Sequence, residues 1–309
     1  MDGNTVRASS RLLKSTNKTA LHLERRGKMT VMVCAFLIIS AALSITIFLT
    51  VKGLDAFLEN GVSIVDFLSS TNWNPTDHKS PTYGALSFIF GSFLVTILAA
   101  CLAAPLGIGC AIFMTEIAPS WGKKVLQPVI ELLVGVPSVV YGFIGLSVLV
   151  PFLRSVVGGQ GFSVLAGTLV LAVMILPTVA SIAADGLNSL PGGLREGSFA
   201  LGATRWQTIW RVVLPAAMPT LLTAIVLGMA RAFGEALAVQ MVIGNVRTLP
   251  EALTDPAATL TTIITLNMGH TTFGSTENNV LWSLALILLA MSFFFILFIR
   301  YLSSRRKFS

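Results

Sequence analysis

Residues 195–215 read REGSFALGATRWQTIWRVVLP. Gly202 interrupts this stretch. Leu194, Phe199, Leu201 and Ala203 supply apolar positions around the glycine. Beyond it, Trp206, Ile209, Trp210 and Val213 fall on one broad helical face. The pattern predicts two short helices about a turn, the second running to Leu214 and Pro215, where proline suits the start of a further helix. An apolar surface on a connecting loop seeks a partner surface. Apolar anchors beside a sharp turn suit docking of a helix into a groove. Packing of the loop on its own flanking helices is the alternative.

Outward from this connection, spanning residues 190–215, the chain is unusually apolar. Of 309 residues, 54% are hydrophobic and 11% charged, and the mean hydropathy is +0.81. Soluble domains carry about 25% charged residues. A membrane helix needs about 20 apolar residues, and six runs qualify: Thr30–Val51, Gly84–Thr115, Val125–Leu153, Phe162–Ala184, Ala216–Gly244 and Val280–Leu302. The expected class is therefore all-α and polytopic in the membrane. Pro105 marks a tilt or break in the second run, Pro137 and Pro151 interrupt the third, and Pro177 lies within the fourth. The first run follows a basic leader but exceeds a normal signal-peptide core, so an uncleaved anchor is expected.

Net charge is +7, but the cations do not form a nucleic-acid footprint. Seven of the 21 basic residues precede Thr30 and four lie between Arg300 and Lys307. With the N-terminus in the cytoplasm, sixteen basic residues fall inside, among them Lys123, Lys124, Arg195, Arg205 and Arg211. Only Lys52, Lys79, Arg154 and Arg247 fall outside. That asymmetry orients both termini to the cytoplasm. Cys34, Cys101 and Cys110 lie in apolar runs without a C-x-x-C pair and read as small buried hydrophobes. His22, His78 and His270 match no metal spacing, and the chain has no phosphate loop, G-x-S-x-G or H-E-x-x-H. No cofactor or metal site is expected, nor any catalytic residue. Energy for any work done here must come from another subunit.

These features predict a basic segment over 1–29, an anchor helix over 30–51 and an extracytoplasmic linker over 52–83. A five-helix membrane domain over 84–303 and a tail over 304–309 complete the chain. Within the linker, LDAFLENGVSIVDFL (Leu54–Leu68) reads as a short interfacial helix. Trp73, in SSTNWNPTDHKSP, is expected at headgroup depth. A plain linker is the other reading.

The 195–215 stretch resembles the coupling motif of ABC importer permeases: Glu-Ala-Ala, then a glycine, then an apolar residue shortly before Leu-Pro. Glu196, Gly202, Leu214 and Pro215 match, whereas Gly197 and Ser198 stand where the motif has its alanines. ELLVGVPSVVYGFIGL (Glu131–Leu146) and ARAFGEALAVQMVIGN (Ala230–Asn245) are similar to the phosphate-specific branch. LAVQMVIGN and TNWNP favour its PstC type over PstA. The resemblance runs from about residue 30 onward. It implies a type I importer permease fold, with a loop that docks on a separate ATP-binding subunit. It further implies two such subunits carrying the ATP and magnesium, a second permease, an extracytoplasmic phosphate-binding protein, and phosphate as substrate. Another oxyanion, sulfate or molybdate, is the alternative. An intramembrane enzyme lacks a nucleophile here, and a standalone channel leaves the loop unexplained.

Arg231 and Glu235 stand in the fifth apolar run. Four residues apart, they are expected on one helix face. Each charge at mid-membrane costs about 2.5–3.5 kcal/mol on insertion scales, so such residues pair or serve a pathway. On the pathway reading the Arg231 fork meets phosphate oxygens, Glu235 offsets its charge between transport events and Gly234 leaves backbone room. The alternative is an ion pair that locks the helix in place. Glu131 either pairs with Lys123 or Lys124 or faces the path. Gly135 and Pro137, with Gly142 and Gly145, predict close helix approach and a kink where a gate can form. Arg195 and Glu196 are expected to cap and orient the coupling helix, with Arg205 and Arg211 meeting a partner subunit or lipid headgroups.

Overall fold

The computed structural model describes residues 3–75, 77 and 80–304, with 3–22, 299, 300 and 302–304 described by backbone alone. His78, Lys79, Arg305, Arg306 and Lys307 lie outside the described residues, as do the side chains of the leader up to His22. The chain forms two compact units, residues 1–52 and 53–309.

The first unit is a single helix, the body of α1 (Gly3–Leu58). Its apolar part from Leu23 is long enough to cross a membrane. The Thr30, Thr46 and Thr50 hydroxyls donate to carbonyls one turn back, at 3.0, 2.9 and 2.7 Å. A helix in lipid must satisfy its polar groups internally in this way.

In the second unit the end of α1 leads to α2 (Ile64–Ser69) and a two-residue hairpin, β1 (Trp73–Asn74) with β2 (Thr82–Tyr83). Then follow α3 (Leu86–Ile112), α4 (Ser120–Gly135), α5 (Ser138–Ile144), α6 (Val150–Val157) and α7 (Val164–Asn188). The rest comprises α8 (Gly192–Ala200), α9 (Arg205–Thr208), α10 (Leu214–Phe233), α11 (Leu237–Gln240), α12 (Leu260–Asn267) and α13 (Thr276–Ser304). Among the described residues six helical stretches can span a membrane: Leu23–Leu58, Leu86–Ile117, Ser138–Val157, Val164–Asn188, Arg205–Phe233 and Thr276–Phe298.

Two expected spans change. The third does not run through Val125–Leu153. It begins at Ser138, because the chain turns extended at Val136 and Pro137, and α4 becomes a separate helix. A residue before proline avoids the helical region. The fifth span starts at Arg205 and stops at Phe233, so it is displaced from the expected Ala216–Gly244.

Pro105 and Pro177 sit inside unbroken helices. Pro128 and Pro219 also lie inside helices, whereas three other prolines follow widened turns. Three π-turns, Phe113–Ile117, Gly145–Leu149 and Ile209–Val213, each end two residues before a proline: Pro119, Pro151 and Pro215. Proline lacks the N–H for the i−4 carbonyl and its ring crowds that group. At Pro151 and Pro215 the widened turn relieves the clash without ending the helix, whereas before Pro119 the chain turns extended at Ala118 and the helix ends. Pro151 thus does not interrupt the third span. The freed Thr115 carbonyl accepts from the Lys123 ammonium at 2.7 Å.

Helix α7 is the axis of the unit. Its buried residues run from Val164 to Leu187, packed by α3, α4 and α10. Small residues let the backbones close in, the usual basis of helix association in lipid. A Cβ on Gly228 of α10 would stand 2.8 Å from Val179 Cγ2 of α7. Gly228→Val should therefore cost about 1–3 kcal/mol by overpacking, with Val179→Ala in the same chain restoring much of it. Denaturation midpoints in detergent read this; an unchanged midpoint would refute the close approach.

The outer segment differs from expectation. Phe67 and Trp73 are buried, and Trp73 packs edge-on against Tyr83 and Phe88, with centroids 6.3 and 5.2 Å apart. Trp73 is thus a core residue of the cluster with Ala56, Leu260 and Leu281, not a headgroup anchor. Leu54–Leu68 is split between the end of α1 and α2, although Ile64, Val65 and Leu68 stay exposed. The cysteines also depart from the reading: Cys34 and Cys101 are exposed and Cys110 is half-buried. On spanning helices an exposed thiol meets lipid, which a small apolar side chain tolerates as well as a core.

Candidate translocation path and coupling surface

Helix α10 ends at Phe233, and Gly234–Ala236 break the run before α11. Arg231 lies in the last turn of α10, where a cation suits the helix dipole. Its guanidinium Nη1 donates to the Thr178 hydroxyl of α7 at 3.0 Å. Glu235 lies beyond the helix end. Its carboxylate accepts from the Ala238 N–H at 3.0 Å, and its carbonyl accepts from the Thr261 hydroxyl at 2.8 Å. The expected shared face is therefore absent: Gly234 breaks the helix between the two residues. Among the described residues no ion pair joins Arg231 to a carboxylate. Glu235 orders the start of α11 and does not directly neutralise Arg231. Gly234 itself is exposed.

The second break faces this one. Tyr141 of α5 reaches back across Pro137 and donates to the Leu133 carbonyl at 2.9 Å. Close approach between α5 and α11 falls at Gly142, where a Cβ would stand 2.8 Å from Ala238 Cα. At Gly135 the space is open. The kink thus belongs to Pro137, and the tight packing lies further along.

Glu131 takes a hydrogen bond from the Gln127 amide at 3.0 Å. The expected Lys123 pairing is not formed, because that ammonium closes the Thr115 carbonyl. Glu131 lines a cavity of about 90 Å³ with Asp185, Gln127, Ser181 and Asn188. Asp185 is seven residues from Thr178 on α7, about 10 Å along the axis.

The 190–215 connection forms the expected pair of helices. Gly202 turns the chain at φ +81, a conformation costly for any residue with a Cβ. Thr204 then starts α9 with a reciprocal capping box to Gln207. The second helix does not keep one apolar face. Ile209 and Val213 are buried in the core, whereas Trp206 and Trp210 are exposed and meet edge-on at 5.6 Å. Leu214 is buried, and Pro215 occupies the first turn of α10. Leu194, Phe199 and Leu201 are exposed; Leu201 reaches 91%. Glu196, Arg205 and Arg211 are exposed and Ala203 is half-buried.

Arg195 points inward. Its Nε and Nη2 grip the Glu116 carboxylate at 2.6–3.2 Å. Nη2 also donates to the Leu187 carbonyl at 2.9 Å, and Nη1 to that of Leu190 at 3.4 Å. No side chain caps α8, whose N-cap is Pro191, so Arg195 and Glu196 do not serve as caps. Sequence reading missed Glu116, Thr178, Tyr141 and Asp185. Glu116 and Asp185 carried a faint signal, as carboxylates at the ends of apolar runs. Thr178 and Tyr141 carried none.

Residues 103–308 match the family model of the binding-protein-dependent transport system inner membrane component. The chain belongs to that family. This permease is 70% identical to the probable ABC transporter permease protein YqgH of Bacillus subtilis (strain 168), over 97% of its length and 96% of the relative's. It is 36% identical to the phosphate transport system permease protein PstC of Xylella fastidiosa (strain 9a5c), over 76% of each. Among solved structures, it is similar to a bacterial alginate ABC transporter chain crystallised in complex with an alginate pentasaccharide-bound periplasmic protein. There the TM-score is 0.57 at 16% identity, covering 87% of this permease and 94% of that chain. The fold is the all-α type I ABC importer permease fold, and the permease is a multi-pass transport subunit rather than an enzyme.

Proposed function

We propose that this permease moves inorganic phosphate across the cell membrane, driven by ATP hydrolysis in a separate subunit. The observation that carries the reading is Arg231. It is half-buried at a broken helix end and held by a neutral hydroxyl, with no carboxylate in ion-pair range among the described residues. A planar cation in that setting suits a tetrahedral oxyanion, which it can grip with two donors. A transport site must also release its cargo. The Glu131–Asp185 cleft, about two turns along α7, presents negative charge that opposes lasting capture. Gly135 and Pro137, next to the α4–α5 break, form the hinge of the gate in this reading.

Guanidinium alone does not separate phosphate from sulfate or molybdate. The relatives named as phosphate permeases favour phosphate. Two ATP-binding subunits supply ATP and magnesium, and one of them docks on Leu194, Glu196, Phe199, Leu201 and Ala203 of this chain. A second permease completes the path, an extracytoplasmic phosphate-binding protein delivers the anion, and both termini lie in the cytoplasm.

Radiolabelled phosphate uptake at low external phosphate tests this, in cells deleted for the gene and in cells with it restored. Restoration is expected to recover uptake that excess sulfate does not inhibit. Uptake unaffected by deletion would remove phosphate as the substrate.

A further inference from the structure

We propose that Glu116 is a positioning residue that carries the motion of the coupling helix α8 into the second membrane span. The inference builds on the importer reading above but concerns a residue outside the 190–215 connection. Helix α8 has no buried residue, so packing alone does not fix it to the membrane domain. Two polar ties do. The Ser198 and Thr208 hydroxyls meet at 2.9 Å, linking α8 to the base of the fifth span. Arg195 holds Glu116 with a two-pronged grip and shares its donors with the Leu187 and Leu190 carbonyls at the end of α7.

A guanidinium fork on a carboxylate fixes direction as well as distance. Exposed ion pairs hold little, but here the side chains are only 22% and 11% exposed for Arg195 and Glu116. Glu116 lies in the π-turn that closes the second span, a rare geometry frequent at functional sites. That turn is also tied to α4 through Lys123 and the Thr115 carbonyl. A displacement of α8 therefore pulls the cytoplasmic ends of α3, α4 and α7 together. Loss of the Glu116 charge leaves α8 tied to the fifth span through Ser198 and Thr208 and to the end of α7 through the Leu187 and Leu190 carbonyls, so those spans follow and the second does not.

The test uses the assembled transporter in proteoliposomes with its binding protein, measuring phosphate uptake and ATP hydrolysis on the same sample. Glu116→Gln is expected to keep ATP hydrolysis within about twofold while uptake per ATP falls about tenfold. Glu116→Asp should recover part of it. The exchange Glu116→Arg with Arg195→Glu should recover more than either single change. Uptake per ATP unchanged in Glu116→Gln would overturn the proposal. So would uptake and hydrolysis falling in proportion to the amount of assembled complex, since that marks a structural role only. If the unmodified transporter hydrolyses ATP but moves no phosphate, the substrate reading fails. The same variants are then scored on the oxyanion that it does move, sulfate or molybdate.

Discussion

Arg231→Gln is expected to lower phosphate uptake roughly 10- to 150-fold, the effect of removing a charged hydrogen bond worth about 1.5–3 kcal/mol. The permease should still insert and assemble, because losing a charge from an apolar run makes insertion easier. Arg231→Lys keeps the charge but not the fork and should fall between the two. Thr178→Val removes the acceptor that holds Nη1 and should lower uptake severalfold, with Thr178→Ser near normal. Uptake assays at matched membrane levels decide. Normal uptake by Arg231→Gln would show that the cation braces the broken helix and does not meet the substrate.

Phe199→Ser combined with Leu201→Ser should break the union with the ATP-binding subunits. Leu201 is 91% exposed and Phe199 about half exposed, so neither belongs to the permease's buried core. Truncating an apolar anchor at the centre of an interface costs about 2 kcal/mol or more, at least roughly 30-fold in affinity. Co-purification of the ATPase should fall accordingly, while the denaturation midpoint of the permease stays unchanged. Undiminished co-purification would place the docking surface elsewhere, on Trp206 and Trp210 for example.

The spans and the coupling connection were legible because their signals are local. An apolar run long enough to cross lipid has few alternatives, and Gly202 between apolar helices marks its own turn. The misreadings share a cause as well. Val125–Leu153, with Pro137 and Pro151 marked as interruptions, and Ala216–Gly244 each read as one span, because hydropathy does not register which break ends a helix. Pro137 ended one helix, whereas Pro105, Pro151 and Pro177 did not. A partner for the freed carbonyl does not decide the outcome: the Leu133 carbonyl behind Pro137 accepts from the Tyr141 hydroxyl, yet the helix ends there. Trp206 and Ile209 looked equivalent on a helical wheel, but α10 enters the core and takes Ile209 with it. Trp73 was placed at the membrane surface by its type, although the hairpin folds it onto Phe88.

By itself, then, the amino-acid order determined that this is a membrane protein of six apolar helices with a helical loop suited to a partner. Those properties follow from side-chain transfer free energy and from turn chemistry among near neighbours. Only the tertiary structure decided which charges meet. Arg195 finds Glu116 across 79 residues and Arg231 finds Thr178 across 53. Meanwhile Glu235, four residues from Arg231, caps α11 instead. Pairing depends on how helices lie against each other, and that is set by the summed close packing of small residues around α7. No spacing along a single helix encodes it.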